Sequence, residues 1–588
     1  MSSCFAQTSP PAIPPQKEVV VVTGTFEPIP LEEADRNVDV LTVRGERLLF
    51  DSFADYVKLD SSVDLRQRAP NTIQSDISIR GGTFGQTLVL LNGMRINDAQ
   101  SGHHNMDLPL PLDAVSEVQI LNGSGSTQYG SDAVGGVVNI LTRKPSEGPE
   151  LHLRGALGNY GVNEEGGSVS LGGDRLSEQL FAARDFSTGF IPDRDYRDLA
   201  LTSISHAKTR LGFTDLLLTL SDRPFGADQF YGNFPSWERT KGWFASVRQE
   251  LGRNTEVDFA YRRHTDLFVL FRDAPQIYTN QHLLDSYEGA LRRTDTLPVG
   301  ALHYGAEYYD ESINSNNLGV HARNHEAVYA SWDTRALRRF SFSVGVRDDI
   351  YDGLSNQVSP TAAGGYWISG KLRARASASR AFRLPSYTDL YYHDPANVGN
   401  PNLRPEKSWN YEGGLDYFAG RRFKASATVF QRRDTDLIDY VLDAQTNVYH
   451  ATNFQKLVFT GFEGSVEARL REDEVVSVGY TGLAGDRAGL GDVVSKYVFN
   501  YPIHSAVVGW QGSIRSWLVG RTRIGIVDRY SRDPCAIWDA SFARPRGRVR
   551  PFLQFTNLSS TIYQEVLGVS MPRRGVVGGV EIVMPLVR

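Results

Sequence analysis

The residues in this sequence that could do chemistry are scattered histidines, carboxylates and hydroxyls, and their spacing builds no catalytic motif. There is no Gly-x-Ser-x-Gly elbow, no His-Glu-x-x-His helix, no phosphate loop and no Cys-x-x-Cys pair. His103 and His104 are adjacent, and His321 and His325 lie four apart. A metal site needs further ligands and a rigid supporting shell, whereas loop histidines are usually solvated, so no metal and no other cofactor is expected. The many Asp, Ser and His residues keep a barrel hydrolase as the enzyme alternative, but no triad pattern clusters and no catalytic residue is assigned. Non-covalent recognition is better supplied. Residues 225–237 read FGADQFYGNFPSW and residues 387–397 read YTDLYYHDPAN, aromatic rings interleaved with amides and hydroxyls. Such surfaces can hold a large, rigid, partly apolar ligand and orient it by hydrogen bonds, although interface girdles and loop packing use the same residues.

The elements that must carry these stretches are strands. After Pro145, Phe340, Phe342, Val344 and Val346 alternate with Ser341, Ser343, Gly345 and Arg347, a period of two with one apolar and one polar face. Phe423, Ala425, Ala427 and Val429 interleave with Lys424, Ser426 and Thr428 in the same way, as do Phe462, Val466, Ala468 and Leu470 with Glu463, Ser465, Glu467 and Arg469. Soluble sandwiches show such alternation too, but here it recurs over the whole C-terminal part without a convincing long helix. No run of 18 apolar residues exists, so a helical membrane span is excluded, and a membrane protein without helices must close its sheet into a barrel. The 55 Gly, 26 Tyr, 29 Phe and only 2 Cys suit a turn-rich barrel with aromatic girdles. A net charge of −6 gives no reason to expect nucleic acid. With a single cysteine expected beyond the leader, no disulfide is expected.

Residues 76–144 have a different character. The runs 88–91 and 94–96 flank Asn92-Gly93, a type I′ hairpin signal, and residues 115–121 and 137–141 form a second strand pair. Between them, residues 123–130 are too glycine-rich for a helix interior, and Gly135-Gly136 suggests a backbone packed closely on another surface. Leu49, Phe53 and Tyr56 at helical spacing predict a short amphipathic helix over residues 44–59.

This stretch resembles the plug domain of TonB-dependent outer-membrane receptors. The resemblance rests on Ile79-Arg80-Gly81, on LNGMRIND at 91–98, on YGSDAVGGVVNI at 129–140 and on the closing Thr142-Arg143-Lys144. Residues 380–385, 389–391, 399–406 and 461–463, with the C-terminal 552–563, resemble barrel segments of the same family. The implied fold is an all-β transmembrane barrel of about 22 antiparallel strands with an N-terminal α/β plug inside its lumen. The implied organisation is a leader or signal-peptide remnant at 1–17, a TonB-box-like segment at 18–24, a plug at 25–144 and a barrel at 145–588. Glu18, Val19, Val20, Val21, Val22, Thr23 and Gly24 form a β-branched run that can add as a strand to a partner's sheet edge, although it also fits a first plug strand. The implied partners are a TonB-type energy-transducing protein, outer-membrane lipid and a scarce large ligand, and the receptor is expected to be monomeric in a Gram-negative-type outer membrane. The alternative is a barrel enzyme or adhesin with a plug-like insert.

With the plug oriented as in the family, the ligand is expected on Thr83, Phe84, Gln86, Gln100, Ser101, His103, His104 and Asn105 of the plug apex, and on Phe230, Tyr231, Trp237, Tyr391 and Tyr392 of the barrel loops. The short barrel and the segments 91–98 and 130–141 look most like cobalamin receptors, so a corrinoid is the first expected ligand and a ferric siderophore the second. Two departures stand out. Asn122-Gly-Ser124 replaces the family's usual Arg-Gly-Pro, so a charged latch between plug and barrel cannot be assumed, and the chain ends without the family's closing aromatic residue.

Overall fold

The computed structural model describes residues 20–21, 23–42, 47–144, 148–173, 175–337, 339–454, 456–486, 494–530 and 532–586. Twenty-two strands from Glu150–Gly158 to Gly575–Pro585 run antiparallel to their neighbours, and the last pairs with the first to close the barrel. Closure leaves no edge with unpaired backbone groups, which is the condition for crossing lipid with strands. No described helix is long and apolar enough to cross a membrane.

The alternation read from the sequence sorts the two faces. In Phe340–Tyr351, Val346 is 46 % exposed and the next residue, Arg347, 1 %. Phe342, Val429, Phe462, Val466 and Leu470 likewise point outward, so the apolar face meets lipid and the polar face lines the lumen. Turns at one end are short, as between Leu251 and Thr255, while the other end carries long loops such as residues 384–405 and 557–574. The strands Thr279–Thr296 and Gly319–Leu337, with 18 and 19 residues, exceed the ~10 residues a tilted span needs and project on the long-loop side.

The plug fills the lumen. Its five-stranded sheet runs in the order Val38–Thr42, Val115–Asn122, Gly136–Thr142, Thr87–Leu91, Met94–Arg95. The hairpin from Leu91 to Met94 turns through Asn92 at φ 51° and Gly93 at φ 84°, the two left-handed positions a type I′ turn requires. A Cβ on Gly136 would meet Leu121 O and Ile79 Cδ1 at 2.5 Å, which is the close backbone approach expected of the glycine pair.

Two local expectations need correction. The amphipathic helix at 44–59 is instead a 3-10 turn at Arg47–Leu49 and a five-residue helix at Phe53–Val57. Ser52 is extended, which interrupts the helical run, and Asp51 N–H donates to the Asp55 carboxylate at 2.9 Å rather than to a helical carbonyl. The glycine-rich stretch contains one helical turn, Ser126–Tyr129, with Gly125 and Gly130 as its caps rather than its interior.

Candidate ligand cup, plug seam and coupling segment

The plug apex lies at the long-loop end. Thr83 opens the 3-10 turn Phe84–Gln86 with a reciprocal capping box, and Gln86 Nε2 donates onward to Glu406 of the barrel at 2.7 Å. The loop after Asp98 is held by Asn105, whose side chain accepts from Asp98 N–H at 2.9 Å and donates to Phe84 O at 3.1 Å. Ser101 Oγ accepts from His103 N–H. Ala99 O and Gln100 O accept from the N–H groups of Tyr387 and Thr388, so the barrel helix Tyr387–Tyr391 sits directly on the apex.

Of the residues expected to meet ligand, Thr83, Phe84, Gln86, Gln100, Ser101, His104, Asn105 and Phe230 are buried. Gln86 and Asn105 spend their side-chain polar atoms on plug and wall partners, whereas Gln100 bonds the wall through Nε2 and His104 bonds Asp107 through Nδ1. Phe230 packs with Ile73, Tyr196 and Phe225. His103, Tyr231, Trp237, Tyr391 and Tyr392 keep accessible surface. His103 stacks on Phe84 with centroids 4.0 Å apart, and Tyr497 meets Phe84 edge-on at 5.0 Å. Tyr391 lies parallel to His321 at 3.7 Å, and Tyr231 meets Phe268 edge-on at 5.1 Å. Phe268, His321, Tyr497 and Lys496, whose ammonium lies between the rings of Tyr440, Tyr449 and Tyr497, are cup residues the sequence reading missed. Their signal was there: SKYVFNY at 495–501 has the same tyrosine-rich loop composition as the stretches singled out.

Beneath the cup, Asp76 receives His103 Nδ1 at 2.6 Å and Arg68 at 3.2 Å. Burial opposes the charge on Asp76, but Arg68 and His103 outweigh it and hold the carboxyl well below the usual range. Burial also lowers His103, against the pull of Asp76.

The charged latch that the Asn122-Gly-Ser124 segment left open is present, built from other residues. Arg80 forks onto Glu463 with bonds of 2.8 and 2.7 Å and reaches Glu412 at 2.8 Å. Arg36 lies 3.5 Å from Glu412 and donates to Ser124 O at 2.6 Å, putting a second guanidinium beside the spot where the family's Arg-Gly-Pro would bring one. Two of the seams between plug and wall are crevices of about 50 and 170 Å³. A site for a drug-sized ligand needs ~300 Å³ or more, so neither seam passes a large solute while the plug stays as it is.

Of the coupling segment, Glu18, Val19 and Val22 lie outside the described residues. Val20–Val21 pair with Ile29–Pro30, and Thr23 is fully buried, its N–H donating to Gln119 and its hydroxyl accepting from Asn139. Gly24, at φ 73°, packs on Leu121. The end of the segment is therefore anchored in the central strands of the plug sheet.

Comparison with known proteins agrees with this architecture. Residues 32–137 match the TonB-dependent receptor plug domain, and residues 167–561 match the β-barrel of TonB-dependent receptor-like proteins. The vitamin B12 transporter BtuB of Photobacterium profundum is 26 % identical over 424 residues, covering 68 % of this chain and 67 % of that protein. An iron-regulated outer membrane virulence protein of Vibrio cholerae is 24 % identical over 576 residues, covering 88 % and 85 %. The siderophore receptor PirA of Acinetobacter baumannii superposes with a TM-score of 0.75 at 15 % identity, covering 94 % of this chain and 99 % of that one. A point mutant of the ferric enterobactin receptor PfeA of Pseudomonas aeruginosa gives 0.77 at 16 %, covering 96 % and 100 %. At such identities the structural likeness is one of fold. The two domain matches, in chain order and spanning most of the sequence, identify the chain as a member of the TonB-dependent receptor family of the Gram-negative outer membrane, a plugged transport barrel and not an enzyme.

Proposed function

We propose that this receptor imports a large, rigid ligand of low net charge, a corrinoid such as cobalamin, driven by a TonB-type protein that engages residues 18–24. The observation that carries the ligand reading is a charge-balanced aromatic rim. Arg272 is held by Asp195 at 2.9 Å, Arg323 by Glu311 at 2.7 Å and Arg404 by Asp436 at 3.1 Å, so these rim guanidiniums are already committed to carboxylates. A trianionic ligand would have to break such pairs, whereas a large ligand with apolar faces and peripheral amides needs only the rings and hydrogen-bonding groups around them. The BtuB relatives support the same reading.

A second reading, a ferric siderophore, is favoured by Lys496. Its ammonium lies 5.3 to 5.7 Å from three tyrosine ring centres and is bonded to Asn397 Oδ1, a cationic aromatic corner that suits an anionic aryl ligand. The siderophore and ferric enterobactin receptors that superpose on the chain, and the iron-regulated relative, point the same way. Calorimetric titration of the purified receptor in detergent with cyanocobalamin and with a ferric tricatecholate decides between them. Stoichiometric cobalamin binding, with cellular uptake lost in Val20→Pro although binding persists, is the expected result. Binding of the ferric complex alone would replace the first reading by the second.

A further inference from the structure

Where the apex loop of the plug touches the barrel wall, hydrogen-bond accounting leaves a gap of one kind. His104 and Gln100 of the plug face Glu238 and Asp266 of the wall, and all four side chains are at least nine-tenths buried. Each has one polar atom satisfied by an identified partner. His104 Nδ1 lies 3.0 Å from Asp107 Oδ2, Gln100 Nε2 donates to Asp266 Oδ2 at 2.9 Å, and Tyr231 donates its hydroxyl to Glu238 Oε2 at 2.7 Å. The remaining oxygens, Gln100 Oε1, Asp266 Oδ1 and Glu238 Oε1, receive no hydrogen bond among the described residues. Three unsatisfied buried oxygens, two of them on carboxylates, are costly unless something positive lies between them. His104 Nε2 sits at the same place, 3.5 Å from Asp266 Oδ2.

We propose that His104, Glu238 and Asp266, with Gln100 as an additional oxygen donor, bind one divalent transition-metal ion that pins the plug apex to the barrel wall. One ligand atom from each of His104, Glu238 and Asp266 already falls within 4.8 Å of the others. Bonds of about 2.0–2.2 Å place ligand atoms ~3.0–3.5 Å apart, so the arms need to close by on the order of an ångström. One imidazole with two carboxylates and an amide oxygen is a mixed set that suits a borderline ion of the zinc or manganese class. The supporting groups are those such a site requires. A metal-bound imidazole hands its other N–H to a carboxylate, as His104 does to Asp107, and each ligating carboxylate is steadied through its other oxygen, Asp266 by Gln100 and Glu238 by Tyr231. Asp107 is braced in turn by His264 Nε2 at 3.2 Å. Two ligands come from the plug and two from neighbouring strands, Trp237–Leu251 and Thr255–Val269, so the ion would act as a removable cross-link independent of the cargo.

The test uses the full-length receptor in detergent, stripped with a chelator and titrated with Zn²⁺ and with Mn²⁺. One equivalent of metal by elemental analysis is expected, with affinity falling at least tenfold in Asp266→Asn and in Glu238→Gln, and about 10- to 100-fold in the supporting variant Asp107→Asn. Folding of each variant is checked by its heat-modifiable migration. Should a variant fail to fold, X-ray absorption of the zinc-loaded wild type still decides: a first shell of one imidazole nitrogen with oxygens supports the site, and a shell with sulfur or several imidazoles overturns it. Wild type that binds no metal, or binding unchanged in both carboxamide variants, overturns the proposal and leaves the cluster served by protons.

Discussion

The plug meets the barrel along two unlike arcs. On the arc formed by the first strands of the barrel and its last three, Leu49, Phe50 and Val57 of the plug belong to one continuous apolar cluster with Phe181, Ile204, Leu217, Phe244 and Phe552 of the wall. On the opposite arc the wall presents Arg347, Arg373, Glu412, Arg432 and Glu463. Arg80 is gripped by the two glutamates, Asp35 pairs with Arg373, and Arg432 donates to the backbone of Arg80 and Gly81. Apolar contact resists separation because water offers its surfaces nothing in return. Ion pairs are directional, and hydration offsets most of their attraction once water can enter. The residues that follow 18–24 run along the ionic arc, where Phe26 stacks on His303 and Tyr329. If residues 18–24 couple to a partner as proposed, the hydratable arc is the one expected to open first, with the apolar arc as the hinge.

Removing Arg80 is the strongest way to break this asymmetry. In Arg80→Ala, Glu463 keeps Asn37 and Glu412 keeps Arg36, in a place where the two glutamate side chains are at most 9 % exposed. An orphaned buried charge costs about 3–5 kcal/mol. Amide exchange of the plug in detergent should show a loss of that size around Ile79 and Gly82, with barrel strands unaffected. Wild-type protection in this variant would mean that the ionic arc does not hold the plug.

That latch also shows where sequence reading stops. The hairpin at Asn92-Gly93, the close approach at Gly136 and the lipid-facing alternation were legible because each is a local rule about φ, a missing Cβ or a period of two. Glu412 and Glu463 looked like any other polar residues in alternating strands, and their partner Arg80 is more than 300 residues away. Arg36 could not be assigned to the latch at all, because the family pattern places the arginine in the segment that here reads Asn122-Gly-Ser124. The cup was half legible for a related reason: ring-rich loops are visible as composition, but which rings face the open side depends on contacts such as Phe84 with Tyr497, across most of the chain.

A smaller effect on the same arc comes from pH. Burial, then the neighbouring charge of Asp39, pushes the Asp60 carboxyl up to about 8, despite two hydrogen bonds from Ser62. Its proton is bound more tightly in the folded plug than in the unfolded chain, whose value is near 3.8. The contribution is therefore complete below that value and shrinks as pH rises toward 8, by about 1.4 kcal/mol per pH unit at most. Plug stability to urea should fall between pH 6 and pH 8 and level off above, and Asp60→Asn should flatten the slope. A slope of equal steepness in the variant would place the titrating group elsewhere.

The smallest effect sharpens the contrast from the apolar side. Ile204 belongs to the strand Tyr196–Lys208, is 7 % exposed and sits within the cluster that joins wall to plug. Ile204→Val deletes one methylene from a packed site, which costs about 0.5–1.5 kcal/mol. No titratable group is altered, so the loss should be the same at pH 6 and pH 8, unlike the response of the ionic arc. It should appear in the exchange of plug amides near Leu49 and Val57 and leave those near Arg80 at wild-type protection, because a hinge can weaken without the latch opening. If the amides at Ile79 and Gly82 lose protection by the same amount, the plug opens as one cooperative body, and the division into a hinge and a hydratable latch is wrong.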